Sequence, residues 1–160
     1  MEQNYVNIMV DSLHKKADIL DAIIQKNEEQ KTILAKDITD WDEFDKNADE
    51  KSDLIDRIEE LDQGFDSLFE KVRVLLESPS GKQIYGNQIK QMQSLITQIT
   101  EKSVTIQTAE SRNKTLIEKR FAESHQRIGQ SRTSSRIARD YYKNMLQTNV
   151  VAPAFLDSKK

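Results

Sequence analysis

Between Asp40 and Leu76 the apolar residues recur at alternating steps of three and four, and this feature constrains the fold more than any other. Such steps place side chains on one face of an α-helix. The first row comprises Trp41, Phe44, Ala48, Ile55, Ile58, Phe65, Phe69, Val72 and Leu76, with a second row of Leu54, Leu61, Leu68 and Leu75 beside it. Because a stripe of this width needs more than one partner helix, we expect a helix over 40–77 that belongs to a bundle.

The predicted helix is too long for a compact globule. At about 1.5 Å per residue it would extend for roughly 55 Å, which suits an elongated bundle. Its start is indicated locally, because Asp40 can cap the first turn and Glu43 stands where a capping box needs an acidic side chain. We expect the rest of the chain to pack along this helix.

Two other stretches show the same spacing and complete a three-helix pattern. Over about 5–38 the apolar positions are Val6, Val10, Leu13, Ala17, Leu20, Ile24, Leu34 and Ile38, with Asn27 and Lys31 expected on the same seam. Over about 87–128 they are Ile89, Met92, Ile96, Ile99, Ile106, Ala109, Ile117 and Phe121, with Ser103, Thr108 and Asn113 on or near the seam. The breaks are expected at 37–40, where polar side chains compete for backbone hydrogen bonds, and at a turn over 78–81.

The composition agrees with an all-α fold. The 160 residues are 36% hydrophobic and 32% charged, and their four Gly and two Pro are too few for the turns of an all-β chain. We therefore expect an elongated antiparallel three-helix bundle, or coiled coil, over residues 1–128. A linker and a C-terminal amphipathic segment should follow over 129–160.

The C-terminal segment differs in character from the bundle. Residues 130–136 have no apolar anchor, which is typical of a linker. Large apolar groups that follow such a linker favour a surface kept for a partner. The partner-binding residues predicted on this basis are Ile137, Tyr141, Tyr142, Met145, Leu146 and Phe155. The pattern is equally compatible with a tail that folds back and caps the bundle.

The net charge of −3 conceals opposite charges in the two halves of the chain. Up to Ser80 there are 10 Lys and Arg against 21 Asp and Glu, and from Gly81 onward there are 14 against 6. Antiparallel packing would pair these halves within one molecule. The alternative is a nucleic-acid surface, for which the pI of about 5.5 is too low. Its residues would be Arg112, Lys114, Lys119, Arg120, Arg127, Arg132, Arg136, Arg139 and Lys143.

Patterns typical of active sites are incomplete in this chain. Asp11 and His14 form one carboxylate and histidine pair, but His125 has Ala122 three residues before it, so the second half of a di-iron site is missing. The acidic residues over 37–45 lack the glycine and the closing glutamate of a calcium loop. We expect no enzymatic activity, no metal and no cofactor.

The sequence favours the cytoplasm. It contains no cysteine, which is compatible with a reducing compartment. No apolar run approaches the ~20 residues of a membrane span, and the N-terminus lacks the basic start and apolar core of a signal peptide. We expect a cytoplasmic protein without a membrane span.

Helical seams do not say by themselves which chain supplies the partner helix. The seams could pair between two copies and form a homodimeric coiled-coil scaffold that has no other partner. The competing interpretation is a single-chain bundle that binds another protein. Nucleic-acid binding by the basic C-terminal third ranks below both.

The order of the elements along the chain is also informative. A long first helix is followed by an acidic second helix with the sequence EKSDLIDRI over 50–58 and then by a third helix. A tail with two adjacent tyrosines closes on FLDSKK over 155–160. This combination spans nearly the whole chain and resembles the FlgN family of flagellar export chaperones.

The resemblance implies a cytoplasmic bacterial chaperone for the hook-associated proteins, which are the subunits of the hook-filament junction. Such a chaperone binds their C-terminal helical segments, prevents premature assembly and delivers them to the flagellar type III export gate. In that family the C-terminal segment carries client binding, and a tyrosine within it is implicated in docking to the gate. Either Tyr141 or Tyr142 could correspond to it, although Lys143 and Asn144 follow where the family usually has a glycine.

Overall fold

The computed structural model describes residues 2–124, with side chains over 4–123. These residues form four α-helices: α1 (Glu2–Ala35), α2 (Trp41–Glu77), α3 (Pro79–Ile84) and α4 (Gly86–Ser124). The three long helices pack together, and at about 1.5 Å per residue each extends for roughly 50–60 Å. The predicted all-α helical bundle is confirmed.

Ion pairs between α1 and α2 show that these helices are antiparallel. Lys16 Nζ lies 2.6 Å from Asp62 Oδ1, and Lys26 Nζ lies 3.1 Å from Glu50 Oε2. Residue numbers therefore fall along α2 as they rise along α1. Opposite charges on the two helices meet across their shared edge, and both ion pairs lie within the acidic half of the chain.

Helix α4 runs parallel to α1. Lys102 Nζ lies 2.6 Å from Asp21 Oδ1, and Arg112 Nη2 lies 3.1 Å from Glu28 Oε2. The bundle is therefore up-down-up, and α1 approaches the backbones of both α2 and α4 closely. The other helices pack along α2 as expected, since Lys51 of α2 lies 2.8 Å from Glu110 of α4, but α1 rather than α2 has two close backbone neighbours.

The connection between α1 and α2 begins earlier than the spacing predicts. Helix α1 ends at Ala35 rather than at 38, and Ile38 is 74% exposed. Asp40 caps α2 as predicted, because its Oδ1 accepts hydrogen bonds from the backbone N–H groups of Asp42 (3.0 Å) and Glu43 (3.2 Å). A short polar connection thus closes this end of the bundle.

A short helix replaces the predicted turn between the second and third long helices. The Ser78 hydroxyl accepts a hydrogen bond from the Gly81 N–H at 3.0 Å, and Pro79 occupies the first helical position. A Cβ at Gly81 would lie 1.7 Å from the Leu75 carbonyl oxygen, so only glycine allows α3 to fold this closely against α2. Helix α4 then begins at Gly86, close to the predicted start at 87, and its predicted residues 125–128 lie outside the described residues.

The apolar core is divided into two clusters. The long cluster consists of buried side chains over 6–23 on α1, over 55–76 on α2 and over 92–106 on α4, together with Tyr85 between α3 and α4. The end cluster lies where α1 ends, α2 begins and α4 approaches Ser124. It consists of Ile33, Leu34, Trp41, Phe44, Ala48 and Ile117, with Leu116 and Phe121 half-buried beside them.

The predicted seams agree with the observed burial at most positions, and the exceptions include Ile38 and Lys31 on α1. In the first row of α2, Phe69 is half-buried against the long cluster and the other eight residues are buried. The second row is half-buried against the same cluster. On α1, Asn27 is buried as predicted, but Lys31 is exposed and Gln30 occupies the seam. The seam steps from 27 to 30 and then to 34, so the shorter step comes first.

Candidate functional site

The predicted partner-binding residues cannot be placed by the structure. Ile137, Tyr141, Tyr142, Met145, Leu146 and Phe155 all lie outside the described residues, as does the predicted linker. The described helices define the end of the bundle from which the chain continues toward them. They also contain a group of buried polar side chains that the apolar seams do not explain.

We call this group the polar layer. It lies where the two apolar clusters meet, with Asn47 between Phe44 and Ala48 of the end cluster, and each of its members is at most 5% exposed. It comprises Asn27 and Gln30 on α1, Asn47 and Lys51 on α2, and Glu110 and Asn113 on α4. All three long helices therefore place polar groups at one level of the core.

An ion pair between α2 and α4 crosses the polar layer. Lys51 Nζ lies 2.8 Å from Glu110 Oε1, and the two side chains are 0% and 6% exposed. Lys51 Nζ also donates a hydrogen bond to Gln30 Oε1 at 3.2 Å, and Asn113 Nδ2 donates to the same oxygen at 3.0 Å. Gln30 thus receives donors from both neighbouring helices.

Two asparagine side chains of the polar layer bind the backbone of α1. Asn47 Nδ2 donates to the Lys26 carbonyl at 2.9 Å, and Asn113 Nδ2 donates to the Asn27 carbonyl at 3.0 Å. Because these bonds reach fixed backbone positions, a slip of either helix along α1 would leave buried polar groups without partners. The polar layer therefore fixes the register of α2 and α4 on α1.

The side chain of Asn27 is an exception within the polar layer. Its Oδ1 and Nδ2 are buried and make no hydrogen bond with the described residues. A buried amide without partners costs free energy, since it loses water and gains nothing in return. The layer thus gives a unique arrangement at some expense of stability, which is the usual effect of a polar position in a helical seam.

Burial changes the acidity of the lysine in the polar layer. Desolvation of the ammonium group lowers the pKa of Lys51 from its ordinary 10.5 to about 8, because it outweighs the attraction of the Glu110 carboxylate and its hydrogen bond. The nearby ion pair at the long cluster shows the same effect for an acid. There burial raises the pKa of Asp62, and the charge of Lys16 opposes the rise.

We expect the protein to gain stability relative to a Lys51→Met variant as the pH rises from about 8 to about 10.5. In this window the unfolded chain still holds the Lys51 proton and the folded chain has released it. The unfolding free energy therefore rises with pH, by at most about 1.4 kcal/mol per pH unit. Urea unfolding of both proteins between pH 7 and 10 measures this difference, and a flat or falling difference would contradict the assignment.

Sequence reasoning identified part of the polar layer. It placed Asn27 and Asn113 on or near the seams, where both are buried, whereas Thr108 is exposed. It missed Gln30, Asn47, Lys51 and Glu110. A signal for Lys51 was present, since the steps from Ala48 to 51 and from 51 to 55 continue the alternation of three and four.

Two cations of the alternative nucleic-acid surface, Arg112 and Arg120, are engaged within the bundle. Arg112 Nη2 bonds to Glu28 Oε2 at 3.1 Å. Arg120 Nε donates to the Leu34 carbonyl at 2.8 Å at the end of α1, and its Nη1 bonds to Glu123. Lys114 and Lys119 are exposed. The five predicted cations from Arg127 onward lie outside the described residues.

Residues 2–124 contain neither a candidate metal site nor a candidate membrane-spanning helix. No three His, Asp or Glu side chains in this range lie together in a way that could hold a metal ion. None of the four helices is long and apolar enough to cross a membrane.

Comparison with known proteins identifies the family. A family model described as FlgN protein matches residues 1–129, which include all four helices. The match ends before the predicted partner-binding residues. Searches of curated proteins and of solved structures give no match. Because the match covers most of the sequence, the chain belongs to the FlgN family of flagellar export chaperones.

Proposed function

We propose that this protein binds the C-terminal helical segments of hook-associated proteins in the cytoplasm. It prevents these subunits from assembling prematurely and delivers them to the flagellar export gate. The observation that carries the proposal is the FlgN match over residues 1–129. The family supports the general role of an export chaperone. The binding of hook-associated proteins and their delivery to the gate are our proposal.

The packing of the bundle supports a binding surface outside it. Most large apolar residues of the three seams pack against one another in the long cluster and in the end cluster. The polar layer adds hydrogen bonds that hold α2 and α4 on α1. Over residues 4–123 the seams pack mainly against one another, which favours the C-terminal segment as the client site.

The proposed client contacts are apolar and aromatic. Ile137, Tyr141 and Met145 would offer an apolar face to an amphipathic client helix, in place of the face that a second client subunit would offer. A modest contact area suits a chaperone, because the client must be released at the gate. Tyr141 or Tyr142 would dock to the gate.

The test is a binding experiment with a purified hook-associated protein. We expect a stable complex in size-exclusion chromatography, with the client held as a single subunit. The matched control is the same client without its C-terminal helical segment, which should not bind. Binding of both forms with equal affinity would contradict the proposed client site, and an obligate dimer of this chain that ignores the client would favour the homodimeric scaffold.

A further inference from the structure

The boundary between the two apolar clusters crosses all three long helices at one level. Residues in neither cluster fill 25–32 on α1, 49–53 on α2 and 107–115 on α4. Apart from Ala109, every buried side chain in these stretches is polar. Apolar contact is therefore interrupted on each helix in turn, and the polar layer takes its place.

A polar boundary makes separation of the end cluster less costly than an apolar boundary would. Opening an apolar core exposes apolar surface on both sides of the break. Opening at the polar layer instead returns water to groups that folding has desolvated, above all the Lys51 ammonium and the Asn27 amide. The cost of opening then comes mainly from the eight side chains of the end cluster and from the two hydrogen bonds that join Asn47 to Lys26 and Gln30 on α1.

The ion pair does not compensate for this difference. The Lys51–Glu110 pair is close, with 2.8 Å between Nζ and Oε1. The free energy lost when the two charges leave water offsets much of their attraction. The lowered pKa of Lys51 has the same origin, because the protonated form is disfavoured where it is buried. Hydration of the pair on opening therefore offsets part of the lost attraction.

We infer that residues 33–48 and 116–124, the end segment, open as a separate cooperative unit while the long cluster stays folded, with the polar layer as the boundary. Opening exposes Trp41, Phe44, Ile117 and Phe121 at the end from which the chain continues to residue 125 and beyond. This local opening exposes large apolar side chains to solvent at that end for part of the time. It is independent of the client proposed above.

Native-state hydrogen exchange of the full chain tests the inference. Both ends of a helix can fray, so the comparison is between two ends of α2. It uses those amides over 41–48 that donate to a backbone carbonyl, which begin at Phe44, and the amides over 72–76, which belong to the long cluster. We expect the amides over 41–48 to exchange about tenfold or more faster than those over 72–76. Equal or slower exchange over 41–48 would overturn the inference.

A set of substitutions tests the role of the polar layer itself. Replacing the layer by apolar groups, with Asn27→Leu, Lys51→Met and Glu110→Leu together, should slow exchange over 41–48 toward the rate over 72–76. The matched control is Lys16→Met with Asp62→Leu, which removes an ion pair between α1 and α2 at the level of the long cluster. Its lysine side chain is also buried, at 7% exposure. It should leave exchange over 41–48 no slower than in the unsubstituted protein.

Each outcome decides the question. If the triple variant keeps the fast exchange over 41–48, the layer is not the boundary and the inference fails. If the triple variant does not fold, Asn27→Leu alone gives the test, because its amide makes no hydrogen bond with the described residues and its loss should still slow the exchange. Trp41 is the single tryptophan of the chain, and its fluorescence should change at lower urea than the helical circular dichroism does. Coincident transitions in the unsubstituted protein would also count against the inference.

Discussion

Truncation after Gln130 should abolish binding of hook-associated proteins and leave the melting temperature nearly unchanged. The described helices bury both apolar clusters among residues that end at Phe121, so the bundle has its core without residues 131–160. The truncation removes all six predicted partner-binding residues. Thermal melts followed by circular dichroism measure the stability, and calorimetric titration with a purified client measures the binding.

A full-length variant separates apolar contact from charge. Truncation also removes basic side chains, so the matched control changes Ile137, Met145 and Leu146 to Ser and keeps the charge and the length of the tail. Loss of binding in this variant as well would assign the effect to apolar contacts. Alanine at Tyr141 or at Tyr142 alone should cost about 1–3 kcal/mol of binding free energy if that ring is a buried anchor.

The competing interpretation of the tail predicts a different pair of results. If residues 131–160 cap the bundle, truncation should lower the unfolding free energy by several kcal/mol, at about 25 cal/mol for each Å² of apolar surface uncovered. A truncated protein that melts much earlier would support the cap. A truncated protein that binds clients at full strength would place the client site within residues 1–130.

The long helices could be predicted because their signal is repeated many times. Each of the three seams has at least eight apolar positions, so a single misplaced residue does not change the assignment. The helix ends depend on few residues and were less well predicted. Ser78 and Pro79 mark a turn and a helix start equally well, and the backbone hydrogen bonds from Lys82 N–H to the Ser78 carbonyl and from Tyr85 N–H to the Gly81 carbonyl distinguish them.

The polar layer could be predicted only in part, because spacing identifies a face and not a partner. A lysine at a seam position can extend its amine to solvent or bury it against an acid on another helix. Lys51 and Glu110 are 59 positions apart in the sequence, and only the packing of α2 and α4 brings them to 2.8 Å. The central position of α1 could not be predicted for the same reason. Three similar seams do not show which helix approaches both of the others most closely.

The largest effect on stability should come from Glu110→Leu. This substitution removes the carboxylate that lies 2.8 Å from Lys51 Nζ and leaves the ammonium in a site where it is 0% exposed. A buried charge that loses its counter-charge costs about 3–5 kcal/mol of unfolding free energy. Urea unfolding at pH 7, followed by circular dichroism, measures the loss.

The double variant Lys51→Met with Glu110→Leu should recover this loss and can exceed the original stability by about 1–4 kcal/mol, because two desolvated charges are replaced by apolar side chains of similar volume. The remaining amides of the polar layer keep a connection, since Asn113 Nδ2 still donates to Gln30 Oε1. The pair would then contribute to register more than to stability, as its place between helices suggests. A double variant as unstable as Glu110→Leu alone would show instead that the ion pair stabilises the fold by itself.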